Sequence, residues 1–109
     1  MKRILWDVDT QVDFMEPTGK LYVPDAKQIV PTLERLIDAG RATGLTHVAS
    51  ADDHERTDPE ISDSPAFRHT FPPHCLRGTS GADTIPETKQ RHPLPLSLVP
   101  FPPGLVPCM

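Results

Sequence analysis

Residues 4–14, ILWDVDTQVDF, combine a strand-like apolar run with three aspartates within seven residues. The segment 3–9 is mostly apolar, which is typical of a strand in a parallel sheet that is covered on both faces. A carboxylate in such a strand needs a hydrogen-bonding partner or access to water, and Asp7 is such a carboxylate. The run therefore predicts a buried strand that ends at a polar site.

A helix is predicted after this strand. Apolar residues recur there at helical spacing: Ile29, Val30, Leu33, Leu36 and Ile37. Asp25 with Gln28 three residues later fits an N-terminal capping box. Pro31 removes a backbone donor, so we expect an irregular first turn and a firm helix over about residues 31–39.

Gly40 and Gly44 predict the end of this helix, and Thr46–Ser50 reads as a second strand. Strand, helix and strand within about 50 residues form a βαβ unit, whose strands are parallel and whose crossover is right-handed. Prolines punctuate the stretch after Asp52, which is predicted mainly as loop to about residue 82. We predict an α/β fold with a parallel sheet and flanking helices.

The chain divides by composition at about residue 91. Residues 1–91 mix charged, apolar and turn-forming residues, as one small globular domain does. Residues 92–109 contain six prolines and no Asp, Glu, Lys or Arg, which predicts an irregular tail. Three interpretations fit the tail: a partner-docking segment, a cover for the domain's own apolar surface, or the product of a shifted reading frame or truncated gene. The third is favoured.

Bulk composition limits the functional classes. The net charge of −4 gives no electrostatic case for binding nucleic acid or an anionic membrane. Asp7 and Asp9 interrupt the first apolar run, so it fits neither a signal peptide nor a transmembrane helix. Two cysteines, Cys75 and Cys108, do not form a disulfide framework. A cytoplasmic protein is predicted.

Acids and histidines are expected to meet at one edge of the sheet. Asp9 ends the first strand, Asp52 and His54 follow the second, and parallel strands share a carboxyl edge where ligands bind. His74 or His69 could complete a site for Zn²⁺, Fe²⁺, Mn²⁺ or Ni²⁺. Spacing alone supports the alternative equally well, in which His54 caps a turn and the other groups are solvated.

Three more residues near these motifs have competing roles. Asp9 fits a general acid or base, or a cap that accepts a turn amide. Asp13 is expected to be structural, with Gln11 orienting it. Cys75 beside His74 is a candidate nucleophile, but if His74 binds metal, Cys75 is expected to point into the packing.

Four segments together resemble the nicotinamidase/isochorismatase-like cysteine hydrolases: DTQVDF (9–14), KLYVPDAKQIVPTLERLI (20–37), ASADDH (49–54) and FPPHCLRGTSGAD (71–83). The resemblance covers about residues 3–88. It implies a Rossmann-like three-layer fold that is incomplete here, with Asp9 as the catalytic acid/base. It also implies Asp52, His54 and His74 as ligands of a divalent metal, typically zinc or a relative, as in the nicotinamidase branch.

The same resemblance implies hydrolysis of a C–N amide bond in a small-molecule, nicotinamide-type substrate. That reaction uses a lysine and a nucleophilic cysteine at a helix N-terminus. Lys89 lies too early to be that lysine, and no strand-to-helix turn carries a cysteine. The 109-residue chain is therefore predicted to be inactive alone, and its open sheet edge is predicted to favour homo-oligomers.

Two alternatives come from other classes. One is a non-catalytic half-domain that keeps the metal site. The other is a haloacid-dehalogenase-like phosphatase, in which Asp7 would be the nucleophile and Asp9 the acid/base. Gln11 does not fit the phosphatase motif, and nothing in that class accounts for FPPHC.

Overall fold

The structure is a computed structural model that describes residues 2–94. Most of the predicted tail, residues 95–109, lies outside the described residues. The elements follow in the order β1 (Ile4–Val8), α1 (Val12–Met15), α2 (Ala26–Ala42), β2 (Thr46–Ser50) and a short 3-10 helix (Ser80–Ala82). The remaining described residues form turns and loops.

The two strands form a parallel pair. Their register runs from Ile4 beside Thr46 to Val8 beside Ser50. β2 has the predicted bounds, and β1 is one residue shorter than predicted at each end. The βαβ unit and the α/β class are thus confirmed.

One face of β1 is uncovered in the described part of the chain. Leu5 packs close to α2, since a Cβ placed on Gly40 would lie 3.2 Å from Leu5 Cδ2. On the other face Ile4, Trp6 and Val8 are 54%, 53% and 59% exposed. The prediction of a strand covered on both faces is therefore wrong for residues 2–94, because the described helices leave this face open.

The Asp7 carboxylate has polar partners inside the fold. Its Oδ2 accepts a hydrogen bond from Thr10 Oγ1 at 2.9 Å and lies 3.8 Å from His47 Nε2. Thr10 is also hydrogen-bonded to Thr88 at 2.7 Å. The Asp7 carboxylate, with its side chain 7% exposed, is held inside the fold.

α2 begins directly after Asp25, the predicted N-cap residue, so it is helical well before the predicted firm start at about residue 31, but the predicted capping box is wrong. Asp25 has a left-handed backbone (φ 66°), and its side chain caps no backbone N–H. Pro31 lies within the helix, which continues through it. Ala26 and Val30, which precede the proline, are buried in the core, so packing secures the first turns despite the lost donor.

α2 runs through Gly40 and ends at Ala42, beyond the predicted end at about residue 39, in a Schellman motif at Gly44, the second of the two predicted stop glycines. Gly44 has φ 74°, the left-handed conformation that favours glycine. Its N–H donates to the Arg41 carbonyl at 3.2 Å, and the Leu45 N–H donates to the Gly40 carbonyl at 2.9 Å. This turn sends the chain directly into β2.

The long segment after β2 folds back onto the carboxyl end of β1. Ile85 is fully buried in the core beside Met15. Its N–H donates to the Thr10 carbonyl at 2.9 Å, and the Val12 N–H donates to the Asp83 carbonyl at 2.8 Å. These bonds bring the histidine-bearing loops to the strand ends. Among residues 2–94, no helix is both long and apolar enough to cross a bilayer.

Candidate metal centre

Asp52, His54 and His74 converge just beyond the carboxyl end of β2. Each contributes one potential ligand atom, and these atoms all lie within 4.8 Å of one another. The Nε2 atoms of His54 and His74 are 3.5 Å and 3.6 Å from Asp52 Oδ2. Both histidines are buried and Asp52 is half-buried. The structure thus brings together the predicted triad, whereas His69, the other candidate third ligand, is exposed and takes no part.

Hydrogen bonds at Nδ1 leave both Nε2 atoms available as ligands. His74 Nδ1 lies 2.7 Å from the Pro72 carbonyl, which can only accept, so the proton of a neutral ring is on Nδ1. His54 Nδ1 lies 3.1 Å from Asp58 Oδ2. Two imidazole nitrogens with a carboxylate oxygen are a donor set that fits Zn²⁺ and related divalent ions.

A short backbone bridge joins the two histidine loops. The His54 N–H donates to the Cys75 carbonyl at 3.1 Å, and the Arg77 N–H donates to the His54 carbonyl at 2.9 Å. The Arg77 side chain then contacts Asp53 at 2.9 Å and Glu55 at 2.7 Å, on either side of His54. Hydrogen bonding to Arg77 lowers the pKa of Asp53, and this ion cluster is exposed to solvent.

Gln11 ties the end of β1 to the backbone of Asp52. Its Nε2 donates to the carbonyls of Asp52 and Ala82, each at 2.8 Å, and its Oε1 accepts from the Asp52 N–H at 2.8 Å. Gln11 is fully buried. The expectation that Gln11 orients Asp13 is wrong, because all of its described side-chain bonds go elsewhere. No pattern along the chain indicates these partners, which lie 41 and 71 positions away.

Asp13 is structural, as predicted. Its Oδ1 accepts from the Lys20 N–H at 3.0 Å and its Oδ2 from the Cys75 N–H at 2.8 Å. Gly81 lies so close that a Cβ at that position would overlap the Asp13 carboxylate. The buried carboxylate therefore links the loops at Lys20 and Cys75 and packs closely against Gly81.

Cys75 points into the packing. The residue is fully buried, with φ 48°, and its Sγ lies 4.0 Å from the Gly81 carbonyl. Burial raises the pKa of the Cys75 thiol to about 12, and the nearby carboxylates of Asp13, Asp52 and Asp9 add to the effect. A nucleophilic cysteine needs a lowered pKa and access to substrate, so this environment opposes that role.

Asp9 lies at the predicted strand end but outside the triad. Its N–H donates to the Ser50 carbonyl at 3.0 Å, and Ser50 Oγ donates to Asp9 Oδ1 at 3.0 Å. Asp9 is half-buried with φ 55°, and it lines a cavity of about 510 Å³ with Phe14 and Ile29. His74 lines a different cleft, of about 560 Å³. The phosphatase alternative loses support here, because its nucleophile would be the enclosed Asp7.

The parallel βαβ unit, with polar groups beyond its carboxyl edge, defines an α/β protein. The Isochorismatase domain family matches residues 4–95. The chain belongs to this family, which confirms the family and the fold class expected from the sequence. No curated protein gives a match.

Solved structures of three proteins are similar to this chain. The nicotinamidase/pyrazinamidase of Bacillus subtilis is 31% identical with a TM-score of 0.62, and the match covers 78% of this chain and 45% of the Bacillus subtilis chain. The pyrazinamidase of Pyrococcus horikoshii in complex with zinc is 30% identical with a TM-score of 0.60 and the same two coverages. An isochorismatase-like hydrolase of Alkaliphilus metalliredigens is 25% identical with a TM-score of 0.70, covering 84% and 48%. The chain thus spans less than half the length of these proteins.

Proposed function

We propose that this chain carries the metal-binding and acid/base portion of a metal-assisted amidohydrolase for a small, nicotinamide-type amide. The observation that carries the proposal is the convergence of two imidazole nitrogens and one carboxylate oxygen within 4.8 Å. The zinc complex of the similar Pyrococcus horikoshii pyrazinamidase supports the choice of metal. Fe²⁺, Mn²⁺ and Ni²⁺ suit the same donors.

Asp52, His54 and His74 would hold the ion, which when bound supplies a Lewis acid at the carboxyl edge of the sheet. Asp9 is proposed as the acid/base. Ser50 Oγ donates to one of its carboxylate oxygens, which orients the group and leaves the other oxygen to accept or release a proton.

We further propose that the 109-residue polypeptide alone does not complete this reaction. Cys75 is buried with a raised pKa, so it does not supply a thiolate. The backbone of Lys89 is held against the end of α2, since Arg41 Nη2 donates to its carbonyl at 3.1 Å. This favours the non-catalytic, metal-binding alternative for these residues taken by themselves.

Metal titration of the purified chain tests the site. We expect one Zn²⁺ per chain, measured by calorimetry and by elemental analysis after dialysis. Asp52→Asn, His54→Ala and His74→Ala should each weaken binding, since each removes one of three protein ligands. His69→Ala is the matched control, because it removes an exposed histidine from the neighbouring loop. An unchanged zinc content in the Asp52→Asn/His54→Ala double variant would show that the ligand assignment is wrong.

Ammonia release from nicotinamide tests catalysis separately. We expect no turnover above the buffer blank, with and without added Zn²⁺. Turnover that is lost on Cys75→Ala would contradict the proposal, because the reaction would then depend on the buried thiol.

A further inference from the structure

We propose that Asp58 is a positioning residue that holds the proton of the neutral His54 imidazole on Nδ1 and so presents Nε2 as the ligand atom. The inference about metal affinity rests on the proposed function, whereas the location of the proton does not. It adds to the triad a fourth side chain that contacts no metal itself.

Two carboxylates compete for the single N–H proton of His54. Asp58 Oδ2 lies 3.1 Å from Nδ1, within hydrogen-bond distance. Asp52 Oδ2 lies 3.5 Å from Nε2, at the long limit for such a bond. A neutral imidazole carries its proton on one nitrogen only, and the other nitrogen accepts. The shorter contact therefore selects the Nδ1–H tautomer, which is the one that leaves Nε2 free.

The backbone next to His54 fixes the position of Asp58. Asp58 Oδ2 accepts the Glu55 N–H at 3.0 Å, and the Asp58 N–H donates to the Glu55 carbonyl at 3.0 Å. The carboxylate is thus anchored to the residue that directly follows His54. Ligand and acceptor belong to one turn and move together.

Glu60 provides a second carboxylate on the same side of the ring. Its Oε1 lies 3.6 Å from His54 Nδ1, farther than Asp58 Oδ2. Loss of Asp58 alone would leave this weaker acceptor. A complete test therefore includes both side chains.

His74 also carries its proton on Nδ1, but the group that accepts its hydrogen bond is a backbone carbonyl. Its Nδ1 faces the Pro72 carbonyl at 2.7 Å, a backbone acceptor that no side-chain substitution at position 58 or 60 removes. The two histidines of the triad thus offer an internal comparison within one molecule. Changes at Asp58 should affect His54 and leave His74 as it was.

Nitrogen-15 NMR of the metal-free chain tests the location of the proton. At a pH where both rings are neutral, we expect the Nδ1–H pattern for His54 and His74. In Asp58→Ala/Glu60→Ala, which removes both side-chain acceptors near Nδ1, His54 should shift towards the Nε2–H pattern, because Asp52 becomes its nearest carboxylate, while His74 stays unchanged. Asp58→Asn should keep His54 on Nδ1–H, since the amide oxygen still accepts.

An Nε2–H pattern for His54 in the unsubstituted chain would overturn the proposal without any variant, so the test does not depend on a variant that folds. A wild-type His54 pattern in the folded double variant would overturn it as well. Asp63→Ala, which removes an exposed carboxylate from the same loop, is the matched control and should change neither histidine.

Zinc affinity tests the consequence for the metal. Loss of a hydrogen-bonding partner of a ligating histidine typically weakens metal binding by about 10- to 100-fold. We expect a loss of that size in Asp58→Ala/Glu60→Ala by chelator competition, a smaller one in Asp58→Asn, and none in Asp63→Ala. Wild-type affinity in the double variant would refute the positioning role. Failure of the unsubstituted chain to bind Zn²⁺ would instead refute the proposed function, and the NMR result would still decide where the His54 proton lies.

Discussion

Replacing Gln11 by Ala should destabilise the fold through the loss of one buried amide. Its side chain makes three hydrogen bonds of 2.8 Å: two to carbonyls and one from the Asp52 N–H. A typical bond of this kind contributes about 1 kcal/mol net. Asp52 and Ala82 are half-buried, so water can replace part of the loss. We therefore expect the free energy of unfolding to fall by about 2 kcal/mol, somewhat less than the sum for three bonds.

The size of this loss matters because small domains are only marginally stable. A chain of this length has a free energy of unfolding on the order of 5–15 kcal/mol. Urea unfolding, followed by circular dichroism, measures the change at constant slope. Gln28→Ala is the matched control, because the Gln28 amide lies on the exposed surface of α2, 3.4 Å from Asp25 Oδ1. We expect that control to change stability by less than about 0.5 kcal/mol.

Gln11→Glu separates hydrogen bonding from packing. The substitution keeps the shape of the side chain but places an oxygen against the Asp52 and Ala82 carbonyls, which then lose their donor. At neutral pH we expect it to be at least as destabilising as Gln11→Ala. Wild-type stability of Gln11→Glu would refute a stabilising role for the three Gln11 hydrogen bonds. Equal effects of Gln11→Ala and Gln28→Ala would refute it as well.

Two further outcomes follow from burial. In a Cys108→Ser chain, Cys75 should resist iodoacetamide at pH 8 when the chain is folded and react fully in urea. The reason is that a thiol pKa of about 12 leaves on the order of one thiol in ten thousand ionised. Rapid labelling of the folded chain would contradict the burial of Cys75. Sedimentation velocity should show concentration-dependent self-association through the open β1 face, which Val8→Lys should weaken. Phe67→Lys is the control, because Phe67 is similarly exposed (62%, against 59% for Val8) and lies in the loop after β2. Equal effects of the two substitutions would place any association elsewhere.

The βαβ unit was predictable because its signals are local. Alternating strand and helix patterns need only neighbouring residues, and the parallel direction of the two strands follows from the helical crossover. The N-cap position at Asp25 was predicted correctly, but the capping-box interaction was not, because spacing alone does not fix the backbone conformation. Asp25 and Gln28 have capping-box spacing, but Asp25 adopts a left-handed backbone and its side chain caps no N–H.

The sequence by itself determined which residues could meet at the carboxyl edge: Asp9 from β1, and Asp52 with His54 after β2. Residue spacing left both His74 and His69 open as the third ligand, and only the family resemblance implied His74. The tertiary structure brings His74 to Asp52 and His54, gives Gln11 its partners and encloses Cys75. These outcomes depend on how the loop after β2 folds back, through bonds such as that from Cys75 N–H to Asp13, 62 positions apart. Contacts over such separations leave no periodic trace in the chain, because they depend on the packed positions of loops rather than on the spacing of residues.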